Sequence, residues 1–449
     1  MDRYNTDDMI FALATAPGRG ALAVFRISGA GCIAAFAPCF SNREKLLAAA
    51  SGTLVYGEIK DIDQVLVSVF RSGHGYTGEE ALEISCHGST GSVTLMTRLL
   101  LESGFRQALP GEFTLRAFLN GRIDLTQAEA VDEIARSGTA LTQKQALSRL
   151  DGAMTRRIGA DRDLLAEAMA AIEVQLDYAE DEIGGDTSFP YEPIEKCRAD
   201  LDCLAGTFGA GRILSEGASV VLAGPANAGK SSLFNLFLKQ ERSIVSPVPG
   251  TTRDYIECLC SVEGIPVRLC DTAGLRQAGE EIEMEGIRRT GQLMAAADVI
   301  VYLLDASETS VSEALRQKER AEADYPAVEK VFVWNKTDLS DTPAPEGFIG
   351  LSVATAEGFA GLSHTLALML QAGVDVNAQT VVQSPRQHQA LVLCVQALDR
   401  ALEMARDGVG LDAIAVELKE ASDQLGFICG ELTGDDILEQ IFSRFCVGK

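Results

Sequence analysis

The sequence predicts a multidomain α+β protein: a small N-terminal α+β domain, an all-α domain that is discontinuous in the chain, and an α/β domain inserted into it. Three changes of texture carry this reading. Short, glycine-punctuated apolar segments fill the first 120 residues or so. No proline then occurs between Pro110 and Pro190, and apolar residues recur at helical spacing. From residue 218 to about 373, apolar runs of strand length alternate with helical ones, and helical periodicity returns afterwards. The expected boundaries are 1–120, 121–213, 214–375 and 376–449.

In the first region "ALAVFRIS", "LVYGEI", "QVLVSVF" and "ALEISCHG" read as strands, and "SVTLMTRLLLESG" as a helix closed by Gly104. In the second, "LTQAEAVDEIARSGTALTQKQALSRLDGAM" and "DLLAEAMAAIEVQLDY" predict long helices of an antiparallel bundle. "GGDTSFPYEP" interrupts them and "IEKCRADLDCLAGTF" resumes them. In the third, "ASVVLAG", "IPVRLCDTAG", "ADVIVYLLDAS", "EKVFVWNKTDL" and "FIGLSV" suit parallel strands covered on both faces. "SPRQHQALVLCVQALDRALEMAR" and "LDAIAVELKEASDQLGF" are helical again. A last helix is expected to open at Thr433, with Asp436 completing a capping box.

Bulk composition narrows the function classes. With 47% hydrophobic and 23% charged residues, the 449-residue chain reads as soluble and globular. No apolar run reaches the roughly 18 residues of a membrane span. The acidic start lacks the pattern of a signal or transit peptide. Eleven cysteines without a Cys-x-x-Cys pair, and only four histidines, predict reduced thiols in a cytoplasm and no structural zinc. A net charge of −25 excludes a broad basic footprint. RNA contact would then need a local patch or a partner. Arg149, Arg156, Arg157 and Arg162 form either such a patch or a solvated helix face.

The chemistry concentrates in the third region. "GPANAGKS", Gly224 to Ser231, fits the P-loop pattern between a buried strand and a helix. Its N–H groups, including those of Asn227, Ala228 and Gly229, would cradle phosphates. Lys230 would reach the β- and γ-phosphates, Ser231 would ligate Mg2+, and Ser232 follows in the first helical turn. "DTAG" (Asp271, Thr272, Ala273, Gly274) puts a magnesium-organising carboxylate at one strand end and a glycine beside the γ-phosphate. "NKTD" (Asn335, Lys336, Thr337, Asp338) resembles the guanine-reading box of the GTPase superfamily, with Asp338 accepting from the base. Ser352, Val353 and Ala354 fill the fifth box with a departure from its usual Ser-Ala start. Together the boxes predict a Ras-like G domain that binds GTP rather than ATP.

Leu275 stands where many small GTPases keep a water-orienting glutamine. A monovalent cation held by Asn227, Ser246, the Val248 carbonyl and Thr251 would supply the positive charge of an arginine finger. Thr252 would be the switch threonine on Mg2+. Glu283 is a candidate for orienting the water, although an acidic residue in such a loop is usually just a solvated surface carboxylate. At the other extreme, "FCVGK" puts Cys446 at the spacing of a prenylated cysteine. Gly448 and Lys449 do not fit a prenyl box, and no basic run precedes them. An incidental cysteine on a frayed end is the alternative.

Taken together, "PGRGALAVFRISG", "YTGEEALEISCHG", "PGEFTLRAFLNGRIDLTQAEAVDEI", "ANAGKSS", "PGTTRD", "DTAGLR" and "FCVGK" resemble the tRNA-modifying GTPase family MnmE, also called TrmE, over essentially the whole chain. The resemblance implies a homodimeric, K+-stimulated GTPase with Glu283 at the family's catalytic carboxylate. It implies an N-terminal domain for dimerisation and for 5-formyl- or 5,10-methylene-tetrahydrofolate, contacted by Arg26, Glu83, Arg122 and Lys449. Arg122 replaces a common lysine, and the two hold ligands differently. It implies Cys446 beside the folate, as nucleophile or as part of the pocket wall. The implied partner is the FAD protein MnmG, which would join it in a heterotetramer. The implied reaction places a (carboxymethyl)aminomethyl group on C5 of the wobble uridine of certain tRNAs. A ribosome-assembly or signalling GTPase would share the G-domain boxes but would not need the N-terminal motifs or the cysteine tail.

Overall fold

A computed structural model of the protein describes Tyr4 and residues 6–177, 188–240, 256–271, 288, 290–371 and 380–449. The chain divides into two compact units. One comprises Met1–Ala135, Arg149–Pro190 and Glu403–Lys449, the other Arg136–Ser148 and Tyr191–Leu402.

The first unit is built on a mixed sheet. Its elements are β1 (Ile10–Leu13), β2 (Leu22–Ser28), α1 (Cys32–Phe36), α2 (Arg43–Ala48), β3 (Thr53–Ile59), β4 (Asp63–Phe70), β5 (Ala81–His87), α3 (Thr90–Glu102), β6 (Arg106–Gln107) and α4 (Glu112–Leu119). The strands lie in the order β3-β4-β5-β2-β1-β6, antiparallel except where β6 runs parallel to β1. Side chains alternate along a strand. Ala23, Phe25 and Ile27 of β2 therefore enter the core with Val65, Val67 and Val69 of β4. Arg26 falls on the other face, paired in register with Glu83 of β5. Helix α3 begins where Ser89 accepts from the Ser92 amide, and ends just before Gly104, whose φ of +87° suits glycine.

Helices α5 (Leu125–Arg136), α6 (Ala140–Leu150) and α7 (Ala153–Asp177) follow, as their periodicity predicts. The second unit continues with α8 (Tyr191–Ala205), α9 (Phe208–Glu216), β7 (Ala218–Ala223), α10 (Lys230–Gln240), β8 (Ile256–Val262), β9 (Ile265–Asp271), β10 (Val299–Asp305), α11 (Val311–Asp324), β11 (Glu329–Asn335), β12 (Phe348–Leu351), α12 (Phe359–Gln371) and α13 (Pro385–Arg406). Its sheet runs β12-β11-β10-β7-β9-β8, parallel except for the antiparallel edge strand β8. Central β7 has β9 on one side and β10 on the other. The strand order reverses around it, which opens a crevice at the carboxyl ends of the strands.

Two helices return the chain to the first unit: α14 (Leu411–Cys429) and α15 (Asp435–Phe442). Helix α7 buries Met154, Ile158, Leu165, Ala168 and Ile172 on one stripe, and α14 packs along it with Ile414, Leu418, Ala421 and Leu425. Helix α15 seats Phe442 and the following Phe445 against Leu115, Leu125 and Ala128. Gly111 makes this approach possible. Its φ is +69°, and a Cβ there would lie 2.5 Å from the Phe442 carbonyl oxygen.

Three strands went unread in the sequence. β1 has only four residues and β6 two, too few to show a period, and β8 is an edge strand of mixed burial. The expected start of the last helix at Thr433 is also corrected. Gly434 is the N-cap, no side chain caps the helix, and the Thr433 hydroxyl is buried.

Candidate functional site

The phosphate loop joins the end of β7 to the start of α10, so its amides lie at a helix N-terminus. Gly224 (φ +132°) lies so close to β10 that a Cβ would meet the Leu303 oxygen at 2.2 Å. Gly229 (φ +98°) is pressed as closely on the Asn335 amide, at 2.3 Å. Those two contacts explain why glycine is required at both ends of the loop. Asn227 is exposed and left-handed at φ +63°. Lys230 is buried, and its Nζ donates to the carbonyl oxygens of Gly224 (3.0 Å) and Pro225 (2.6 Å). The ammonium thus spans the loop's own backbone at the place where phosphate oxygens would be received. Ser231 Oγ donates to Asp271 Oδ2 at 2.6 Å. That hydroxyl–carboxylate pair, at the mouth of the loop and the tip of β9, is a hard oxygen donor set that fits Mg2+.

Asn335 ties three boxes together. Its Nδ2 donates to the Ala228 carbonyl of the phosphate loop (2.8 Å), and its Oδ1 accepts from the Val353 amide (3.3 Å). Next to it Lys336 is left-handed (φ +65°) and pairs with Asp305 at 2.5 Å. Burial pushes the Asp305 carboxyl up, but hydrogen bonds from Lys336 and Ser307 carry it below the ordinary carboxylate value. Asp338 follows in a short 3-10 turn, Thr337–Leu339, with its side chain exposed. Ser352 is buried; its amide donates to the Glu357 carbonyl and its hydroxyl accepts from the Thr355 amide. This turn holds Val353 against Asn335 and leaves Ala354 exposed. Ser232 is exposed one residue beyond Ser231. Ser246, Val248, Thr251, Thr252, Thr272, Ala273, Gly274, Leu275 and Glu283 lie outside the described residues.

The first unit assembles a second cluster from distant parts of the sequence. Arg26 donates through Nε (3.1 Å) and Nη2 (2.9 Å) to one oxygen of Glu83, Oε1. Its Nη1 donates to the Gly448 carbonyl at 3.2 Å. The rings of Tyr76 and Phe113 lie 5.4 and 5.8 Å from the guanidinium carbon, within cation–π range. Burial pushes the Tyr76 phenol up. The tail is therefore docked: Phe445 and Gly448 are buried, and the Cys446 carbonyl accepts from the Gly111 amide. Cys446 itself is exposed, and Lys449 is half-buried. Arg122 sits at the edge of this cluster, with Nη1 3.4 Å from the Gly73 carbonyl and its stem against Gly78.

Several residues here carried no signal in a linear reading. Tyr76 and Phe113 are found only by the fold that stacks them on Arg26. Asp8, Arg106, Glu112 and Arg116 form a largely buried ion network, with Arg116 and Glu112 about 1% and 0% exposed. Burial raises the Asp8 carboxyl, but the two guanidiniums carry it below the usual range. The i,i+4 spacing of Glu112 and Arg116 was the one available hint. The four-arginine reading needs correction. Arg149 is buried and paired with Glu133, Arg162 is clamped by Glu431, and Arg156 donates to the Asp151 carbonyl. Arg149 therefore drops out of the expected surface patch, while Arg156 remains exposed and Arg162 half-buried on the helix surface.

None of the eleven cysteines is in a disulfide. Among the described residues no three or more His, Cys, Asp or Glu side chains gather as a metal-ligand group, and no helix is long and apolar enough to cross a membrane.

Comparison with known proteins adds independent evidence. The family model for the MnmE helical domain matches residues 125–446, and that for the GTP-binding protein TrmE N-terminus matches residues 9–122. Proteins named tRNA modification GTPase MnmE are similar throughout. The one from Chlorobaculum tepidum is 40% identical over 98% of this chain and 97% of its own. That from Syntrophotalea carbinolica is 40% identical over 99% of each. That from Treponema denticola is 38% identical over 100% of this chain and 99% of its own. Among solved structures, the G domain of the T. maritima FeoB iron transporter covers 34% of this chain at 22% identity with a TM-score of 0.27, a likeness too partial to carry an argument.

Proposed function

This chain belongs to the MnmE family of tRNA modification GTPases, and from that premise we propose one activity built on two sites. It is a GTP hydrolase that takes part in tRNA modification. The second unit binds GTP: loop amides and Lys230 receive the phosphates, Ser231 and Thr252 hold Mg2+, and Asp338 reads guanine. Asn227, Ser246, the Val248 carbonyl and Thr251 hold K+, which when bound supplies the positive charge a GTPase otherwise takes from an arginine finger. Glu283 orients the attacking water.

The first unit binds a one-carbon tetrahydrofolate at Arg26, Glu83, Arg122 and Lys449, with Cys446 beside it. Acting in the cytoplasm as a homodimer with the FAD protein MnmG, the enzyme places a (carboxymethyl)aminomethyl group on C5 of the wobble uridine. The domain layout that serves this is 1–120, 121–213, 214–375 and 376–449.

The observation that carries this reading is the junction of Arg26, Glu83 and Gly448. A carboxylate with Oε2 taking no hydrogen bond among the described residues, beside a stacked guanidinium, suits a flat heterocycle with N–H groups. A GTPase switch of ribosome assembly or signalling has no use for it. The test is reconstitution of the chain with its FAD partner, tRNA, GTP, 5,10-methylenetetrahydrofolate as the one-carbon source and ammonium or glycine as the amine that becomes the aminomethyl or carboxymethylaminomethyl nitrogen, with tRNA nucleosides read by mass spectrometry. A modified wobble uridine that disappears with Arg26→Ala is expected. GTP turnover with an unmodified uridine would return the switch reading to the front.

A further inference from the structure

Arg26 and Ser28 lie on one face of β2, and both hold the loop of residues 71–80. Arg26 does so through the Tyr76 ring. Ser28 does so through hydroxyl bonds of 2.7 Å to Thr77 and to Glu79 Oε2. The direction of these bonds follows from proton counting. Arg116 Nη1 also donates to Glu79 Oε2 (3.3 Å), so this oxygen is an acceptor. The single Ser28 hydrogen goes to it, and Thr77 must donate to Ser28. Thr77 Oγ1 in turn accepts from the Glu79 amide (3.3 Å), and the Thr77 carbonyl accepts from Asn120 Nδ2 (2.8 Å). Ser28 is 0% exposed and Thr77 2%. The loop between these anchors turns on Gly73, Gly75 and Gly78, all left-handed, with the Gly73 amide donating to the Gly78 carbonyl (2.8 Å). Tyr76, the residue just before Thr77, is held further by a 2.9 Å bond to the Thr114 hydroxyl.

We propose that Thr77, acting through Ser28, Glu79 and Arg116, is the positioning residue that keeps Tyr76 stacked on Arg26 and so sets the Arg26–Glu83 pair for its ligand. The inference rests on the reading of that pair as a folate site. Thr77 touches no ligand; it fixes the loop whose Tyr76 ring lies, with the Phe113 ring, within cation–π range of the guanidinium.

The test is the affinity of the full chain for 5-formyltetrahydrofolate by titration calorimetry, at a temperature where near-UV circular dichroism shows each variant folded. Thr77→Val keeps the side-chain volume and removes the hydroxyl. It should weaken binding about tenfold, the loss expected when one buried hydrogen-bond partner is removed. Thr77→Ser should restore it, and GTP hydrolysis should stay at the wild-type rate in both. Ser28→Ala, which cuts the same relay in the middle, gives the same expectation should Thr77→Val fail to fold. A folded Thr77→Val or Ser28→Ala that binds like wild type overturns the inference and leaves the pocket standing, provided Arg26→Ala still abolishes binding. A wild-type chain that does not bind overturns the pocket reading, and this inference with it.

Discussion

The nucleotide site and the Arg26 cluster are built by opposite means. The first uses loops at the ends of neighbouring parallel strands, and its boxes are contiguous in sequence: Gly224 to Ser231, Asp271, Asn335 to Asp338, Ser352 to Ala354. Backbone groups and left-handed residues do much of the contacting there, as Gly224, Gly229, Asn227 and Lys336 show. The second uses side chains from positions 26, 76, 83 and 113 and a carbonyl from 448, brought together by sheet register and by the docking of α15. A loop site is specified locally and tolerates change elsewhere. A cluster gathered from across the unit depends on the whole unit's packing.

The largest expected effect exploits that dependence. Phe442→Ala removes a fully buried ring beneath the tail and should destabilise the first unit by about 3–5 kcal/mol. Thermal unfolding should then show an early transition, with folate binding lost and guanine-nucleotide binding kept. Loss of guanine-nucleotide binding together with folate binding would contradict that expectation. Next, Lys230→Ala should slow GTP hydrolysis roughly a hundred- to a thousandfold while leaving folate affinity unchanged, measured on the same preparation. Asp338→Asn exchanges an acceptor for a donor at the base edge. It should weaken GTP binding by about 1.5–3 kcal/mol and improve binding of a nucleotide whose base carries a carbonyl in place of guanine's amino group. A variant that keeps the wild-type preference for GTP would break the assigned role.

The smallest effect concerns Asp305, whose folded pKa is held below 3.8 by Lys336 and Ser307 against the pull of burial. A depressed carboxylate contributes stability that is complete above its unfolded value and lost as pH falls through its folded one. As pH falls below the ordinary carboxylate range, the nucleotide-binding unit of wild type should therefore lose more thermal stability than that of Asp305→Asn. Parallel acid profiles would show that the Lys336 pairing does not hold the turn.

The same contrast governs what could be read from the chain. The strands around the phosphate loop were legible because both faces are covered and their runs are continuously apolar, from Ala218 and Val299 to Val333. Edge strand β8 was not, since its half-covered face blurs the pattern. In the first unit the alternation of β2 and β5 was legible, but the register that sets Arg26 opposite Glu83 was not. The tail motif resembled a known one, yet only the fold gives its reason: Gly111 clears space for Phe442, and the Gly448 carbonyl caps Arg26. Arg149 shows the reverse error, a charge read as surface that lies buried against Glu133.

The most direct test of the central claim is GTP hydrolysis by the purified chain in potassium against sodium at equal ionic strength. Strong stimulation by potassium alone, lost in Asn227→Ala, is the expected result. Equal, slow rates in the two salts would contradict the account, because nothing else proposed for this site supplies the charge of an arginine finger.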